Sequence, residues 1–301
     1  MPISTRHQKE YVSTRRLPRQ KPISSSEAKQ RAKQKFTSGG ISHKLDQVYN
    51  YLLTARIATT HQIQSFIDVA PRTLRGYQEN YWIFANTMPD QLSLPQVDIL
   101  TDNKVWILGS VGMEYAKLDG RLPSSHVGYN FNHQTHDLLC NHTITHIKDR
   151  AAGAGHSLVW YGAYEARIIN SDKRVTIEPD ARLDLFDRSG EPSHCYYFEY
   201  HNERGSDRAM DKIDRYERHA ISHSYRNYWD SKTPPTVLIT YTHKAVYTGY
   251  VQALSQYSQT RDIRCKYWSM PLRRIMKDER SDLWVDLNAR LLDRQEQVKL
   301  F

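Results

Sequence analysis

The sequence predicts an α/β chain in two units behind a basic tail, and three observations carry this. Positive charge is concentrated in the first 40 residues, which lack apolar periodicity. Residues 41–120 read as short helices followed by a β-hairpin. After residue 130 helical patterns interleave with longer β-forming runs, the rhythm of a layered α/β arrangement. The 301 residues suit two modest domains with appendages.

Ten of the 42 Lys and Arg, Arg15 and Arg16 among them, and only two of the 33 Asp and Glu lie in residues 1–40, so the tail holds +8 of the formal charge of +9. Its composition predicts disorder with a short helix over 26–35, ending at Ser38, Gly39 and Gly40. A flexible polybasic arm binds a polyanion by releasing counterions, without reading sequence. The alternative is a solvated tail that aids solubility. A membrane surface is disfavoured because the tail has no amphipathic apolar face. No apolar run approaches the ~20 residues of a membrane span, and no apolar core follows the basic start as in a secretory signal. Cys140, Cys195 and Cys265 are far apart and form no CxxC pair, which argues for a reducing compartment and against structural zinc. A cytoplasmic protein is expected.

In residues 41–120, Leu45, Val48, Tyr49, Leu52 and Leu53 fall at helical spacing, with Ser42 as N-cap. Thr59 or Thr60 opens a second helix carrying Ile63, Phe66 and Ile67. Pro71 suits the first turn of a third helix, 71–79. Residues 81–84, 97–100 and 105–108 are β-forming, with a turn at 101–104, and a short helix at 112–118 closes the unit. Three short helices and a hairpin are the winged-helix order, in which the third helix enters the major groove. That helix carries Arg72, Thr73, Arg75, Tyr77 and Gln78, side chains able to reach phosphates and base edges. A winged helix used only for protein contacts is the alternative.

Residues 119–130 read as a linker. Residues 131–270 form the second domain: a helix over 131–148, strand regions over 157–169 and 174–186, a strand over 194–201, a helix over 206–222 capped by Ser206, a β run over 236–242, a helix over 243–259 and a strand over 265–270. An amphipathic, charge-laced helix is expected within 271–301, over 278–298. Chemistry concentrates in two apolar runs. One holds Glu178, Pro179, Asp180 and Asp184; the other holds Tyr196, Tyr197, Phe198, Glu199, Tyr200 and His201. If the runs pair as neighbouring strands, Asp180 and Glu199 converge, and two carboxylates suit a hard cation such as Mg²⁺ or Mn²⁺. Strand alternation puts Glu178, Asp180 and Asp184 on one face. Lys212 and Tyr216 share a helical face; the plainer reading pairs Lys212 with Asp207 or Asp211 and packs Tyr216. His142 and His146 have a zinc-capable spacing but no supporting cysteine pair or glutamate.

Pro179 and Asp180, followed by Glu199 two residues before His201, resemble the PD-(D/E)XK nuclease-like superfamily. The wider layout is similar to the replication-relaxation family, which includes MobC-type plasmid mobilisation relaxases: the winged helix, His136 on a helix, Trp160 and Glu165 in a strand region, Pro179–Asp180, Phe198–Glu199, then Lys212 and Tyr216 on a helix. The resemblance covers roughly residues 41–260 and rests on element order and scattered residues. It implies a metal-dependent endonuclease whose metal-activated water, not a tyrosine, attacks DNA. It assigns Asp180 and Glu199 to the metal, His201 or Lys212 to the scissile phosphate or water, and lesser roles to His136, Glu165 and Tyr216; Glu178, from strand alternation alone, either feeds the metal site or faces solvent. The superfamily's usual lysine position is His201 here, so Lys212 is the candidate for a migrated lysine.

The leading expectation is site-specific DNA binding and Mg²⁺- or Mn²⁺-dependent nicking for mobilisation or replication of a plasmid or other mobile element. The rival is a non-catalytic replication accessory or repressor with a degenerate nuclease fold. Expected partners are double-stranded DNA and other mobilisation or replication proteins, with a homodimer allowed and no membrane.

Overall fold

The computed structural model describes residues 22–87, 104–121, 131–169, 175–202, 208–227, 229, 233–277, 283–291 and 296–300. Local signals set the first helices. Helix α1 (Ser25–Thr37) starts where the Ser24 hydroxyl accepts the Glu27 N–H. Ala28 and Ala32, one turn apart, are its buried residues, and α1 packs on α5 (Ser110–Leu118). Phe36 meets Tyr115 edge-on at 5.6 Å, and Arg31 lies over the Tyr81 ring at 5.4 Å. The short helix expected over 26–35 is thus present, a little longer than expected, and it is docked on the first unit rather than part of a loose tail. Small alanines let the helix approach its neighbour closely while Lys29, Lys33 and Lys35 stay exposed. Arg15 and Arg16 lie outside the described residues.

Helix α2 (His43–Ala55) is capped by Ser42, as expected. Helix α3 (Thr60–Phe66) has a capping box between Thr59 and Gln62. Helix α4 (Pro71–Glu79) opens on its proline. Strands β1 (Ala58–Thr59), β2 (Ile83–Thr87) and β3 (Lys104–Leu108) form an antiparallel sheet in the order β1-β3-β2. The expected strand at 97–100 and the turn residues 101–103 lie outside the described residues.

The larger unit begins with α6 (Phe131–Gly153). Its mixed seven-stranded sheet runs β12-β11-β10-β9-β8-β7-β4. The strands are β4 (Ser157–Gly162), β7 (Ala181–Phe186), β8 (Pro192–His201), β9 (Thr236–Tyr241), β10 (Tyr267–Pro271), β11 (Leu283–Asp286) and β12 (Gln297–Lys299). β4, β7 and β8 form an antiparallel meander, β9 lies parallel to both β8 and β10, and β10 to β12 pair antiparallel. Helix α7 (Ala209–Ile221) connects β8 to β9, and α8 (Lys244–Ser258) connects β9 to β10. Ala181, Leu183, Leu185, Phe198 and Tyr200 pack with Leu139 and Ile147 of α6. Tyr197, Val237 and Ile239, on the other face, pack with Ile213 and Tyr216 of α7 and Tyr250 of α8.

Two departures from the expected elements have physical causes. The run over 174–186 is broken: β6 (Val175–Ile177) pairs with β5 (Ile168–Ile169) in a separate small sheet, and β7 begins after Pro179. Proline has no N–H to give a ladder. The expected helix over 278–298 is instead β11, the short α10 (Leu287–Arg290) and β12. The unpaired backbone groups at the edge of β10 compete with helix propensity, and burial of Trp284 in β11 favours the sheet. The sheet therefore runs across the expected boundary at 270.

The turn between β7 and β8 is built on Asp187. Its Oδ1 accepts the Ser189 and Glu191 N–H groups at 2.8 and 3.1 Å, and Gly190 supplies φ +83°. The register it joins is Ala181 opposite Phe198 and Asp184 opposite Cys195. The two units also dock on each other. The Gln62 amide donates to the Leu138 carbonyl at 2.9 Å, and Trp160 of β4 packs against Tyr51 and Phe66. Among the described residues no helix is long and apolar enough to cross a membrane.

Candidate active site

Asp180 directly precedes β7. Continuing the antiparallel register one residue beyond Ala181 and Phe198 sets Asp180 opposite Glu199. Asp180 Oδ2 accepts the Tyr200 N–H at 2.7 Å and lies 3.5 Å from His136 Nε2 on α6. Glu199 is 1% exposed. Lys212 Nζ donates to both its oxygens, at 2.8 and 2.6 Å, and the Tyr216 hydroxyl donates to Oε1 at 2.5 Å. Lys212 and Tyr216 reach the same carboxylate from one face of α7, and Tyr216 also packs on Tyr197; Ser206 and Asp207 lie outside the described residues.

Charge follows this geometry. Burial works against an ionised Asp180, but the His136 ring, Lys212 and the Tyr200 N–H hold its carboxyl well below the usual carboxylate range. Burial likewise opposes a charged His136, and the Asp180 and Asp137 carboxylates override it, pushing its pKa up to about 11. Lys212 is raised because Glu199 and Asp180 outweigh its burial. Burial and the Glu199 charge push the Tyr216 hydroxyl well above its ordinary value, so it acts as a donor to Glu199. Asp180, His136, Lys212 and Glu199 thus form a cluster of alternating charge at the end of the β7–β8 hairpin.

Other candidates lie elsewhere. His201 shares Glu199's face by alternation, but α8 covers it: it is 5% exposed and its Nε2 lies 2.9 Å from the Tyr250 hydroxyl. Glu165 faces the N-terminal unit, accepting the Thr54 hydroxyl at 3.0 Å and the Gly162 N–H at 3.2 Å. Glu178 pairs with Arg167 at 2.6 Å outside the cluster. Asp184 pairs with Arg182 at 3.1 Å within the sheet. On α4, Arg72 and Arg75 are exposed, Thr73, Tyr77 and Gln78 are half-buried, and Leu74 anchors the helix. Asp137 was not among the expected site residues; its Oδ1 lies 3.2 Å from His136 Nδ1. Adjacency to His136 was the only signal in the sequence.

Among the described residues no group of three or more His, Cys, Asp or Glu is arranged to hold a metal ion. Mg²⁺ commonly takes only one or two protein carboxylates and completes its shell with water and phosphate oxygens. Asp180 and Glu199 supply that class of donor, so the residues fit such an ion chemically. Lys212 would compete with it for Glu199. No family model matches the chain, and no curated protein or solved structure matches it.

Proposed function

We propose that the chain binds duplex DNA through its N-terminal unit and nicks it in the core, serving the mobilisation or replication of a plasmid or other mobile element. The observation that carries this reading is the gathering of Asp180, Glu199, His136 and Lys212 at one end of the β7–β8 hairpin. The helix, meander, helix, parallel-strand order around that cluster is compatible with the nuclease-like core that the sequence resembles.

The N-terminal unit is read as a winged helix. Helix α4 then offers Arg72 and Arg75 to phosphates or base edges, β2 and β3 form the wing, and the exposed lysines of α1 add affinity without sequence preference. In the core, Mg²⁺ or Mn²⁺ held by Asp180 and Glu199 would supply an activated water and stabilise charge on the phosphodiester. Lys212 is placed to turn from Glu199 to the scissile phosphate. Tyr216 keeps Glu199 oriented as Lys212 leaves, and His136 holds Asp180 in place. The test is nicking of supercoiled plasmid DNA in Mn²⁺. Asp180→Ala should abolish it, and nicking by that variant at the wild-type rate would end the assignment.

A second reading, a non-catalytic DNA-binding accessory or repressor, is favoured by the saturation of Glu199 by Lys212 and Tyr216. Calorimetry with Mn²⁺ separates the two. Heat that disappears in Asp180→Ala supports the nuclease; no heat with the wild-type chain supports the accessory.

A further inference from the structure

One strained residue of the N-terminal unit reaches toward the core site. Arg56 follows α2 with φ 62° and ψ −45°, a region L side chains rarely adopt. The Ile57 N–H bonds back to the Ala55 carbonyl at 2.7 Å, closing a γ-turn of the rare positive-φ kind around Arg56. Such a turn persists in a non-glycine residue only where the surroundings over-determine it. Helix α6 provides them. The side-chain amide of buried Asn141 donates to the carbonyls on both sides of Arg56, Ala55 at 3.0 Å and Ile57 at 2.5 Å. One turn earlier on α6, Asp137 Oδ2 meets Arg56 Nη1 at 3.5 Å, with the two side chains 14% and 16% exposed. The other Asp137 oxygen contacts His136 Nδ1, and the far side of that ring faces Asp180 and the Tyr200 carbonyl, at 3.5 and 3.2 Å.

We infer that Arg56 is a positioning residue for the core site: its guanidinium fixes the Asp137 carboxylate, which sets the His136 ring against Asp180. The N-terminal unit thereby governs the geometry of the centre that acts on the DNA it holds. The inference rests on the nicking reading of that centre. Glycine would adopt the turn without strain, so the strained backbone serves to deliver the guanidinium.

The test compares the full-length wild type with Arg56→Gly, Arg56→Lys and Asp180→Ala. Three quantities are measured: single-turnover nicking of supercoiled plasmid DNA in Mn²⁺ at saturating protein, affinity for a short labelled duplex, and the ring ¹⁵N–¹H NMR signals of His136, assigned with His136→Gln. Arg56→Gly should stay folded and bind the duplex equally well, relief of the turn's strain opposing the loss of the guanidinium beside Asp137. It should lose about 10- to 100-fold in nicking rate, as expected for a misplaced catalytic group, and its His136 signals should move. Arg56→Lys should recover part of the rate. Wild-type nicking by Arg56→Gly, a loss traced wholly to duplex affinity, or unmoved His136 signals would each overturn the inference. If the wild-type chain does not nick, the nicking reading fails by itself, and the His136 signals still decide: moved in Arg56→Gly they uphold the link, unmoved they refute it.

Discussion

Lys212→Met keeps most of the apolar stem and removes the ammonium that donates to both Glu199 oxygens. Glu199, 1% exposed, would keep Tyr216 as its side-chain donor. Removing one partner of a buried ion pair costs about 3–5 kcal/mol. The Lys212 side chain is 24% exposed, and the Tyr216 hydroxyl remains, so the lower end applies, about 3 kcal/mol at neutral pH. For a chain of this size that is a fall in melting temperature of roughly 6 °C. Burial lowers the Lys212 pKa but Glu199 and Asp180 raise it further, so its folded value lies above its unfolded one. Its contribution is then fully present below about pH 10 and lost as pH rises through the folded value. Urea unfolding of the variant and the wild type, at neutral pH and toward pH 11, measures both effects. Adding Glu199→Gln removes the stranded charge and should restore at least half the loss. An unchanged urea midpoint for Lys212→Met, or no recovery in the double variant, would refute the reasoning.

Asp180 has its pKa depressed in the fold by His136, Lys212 and the Tyr200 N–H against the opposing effect of burial. Its stabilisation should therefore be present in full above about pH 4 and decline as pH falls from there toward the folded value; the gap between wild type and Asp180→Asn in urea unfolding should narrow steadily from about pH 4 to pH 2. A Cβ at Gly162 would collide with the Thr54 carbonyl where the units meet. Gly162→Ala should lower stability by about 1–3 kcal/mol, read by calorimetric melting. Arg75→Ala on α4 should weaken duplex binding and reduce the slope of log affinity against log salt by about 1 if it meets a phosphate; filter binding across a salt series measures it.

The sequence carries the first unit well because its signals are local. Ser42, Thr59 and Pro71 each sit where a helix starts, and no distant residue is needed to place them. The docking of α1 was less legible, since Ala28 and Ala32 offer little hydrophobic signal and matter only once α5 is there to receive them. The C-terminal strands were misread for a related reason: the charged periodicity over 278–298 is helical by itself, and the open edge of β10 is not written in that segment. At the site, the pairing of the two apolar runs and the i, i+4 spacing of Lys212 and Tyr216 were readable. The cover that α8 places over His201 was not, nor was the pairing of Arg56 with Asp137, 81 residues apart in the chain. Both depend on how helices pack rather than on any local pattern.

The Asp187 turn has a consequence for error rather than for energy. It sits at the end of the hairpin remote from Asp180 and sets how β7 counts against β8. A slip of one residue would exchange Leu183 and Leu185, packed against α6, for Arg182 and Asp184, because neighbouring strand residues face opposite ways. The same slip would take Asp180 off its place opposite Glu199. A misaligned centre therefore cannot arise quietly in an otherwise sound molecule. The fault that would part Asp180 from Glu199 also turns Arg182 and Asp184 toward α6, so a mispaired chain fails to fold.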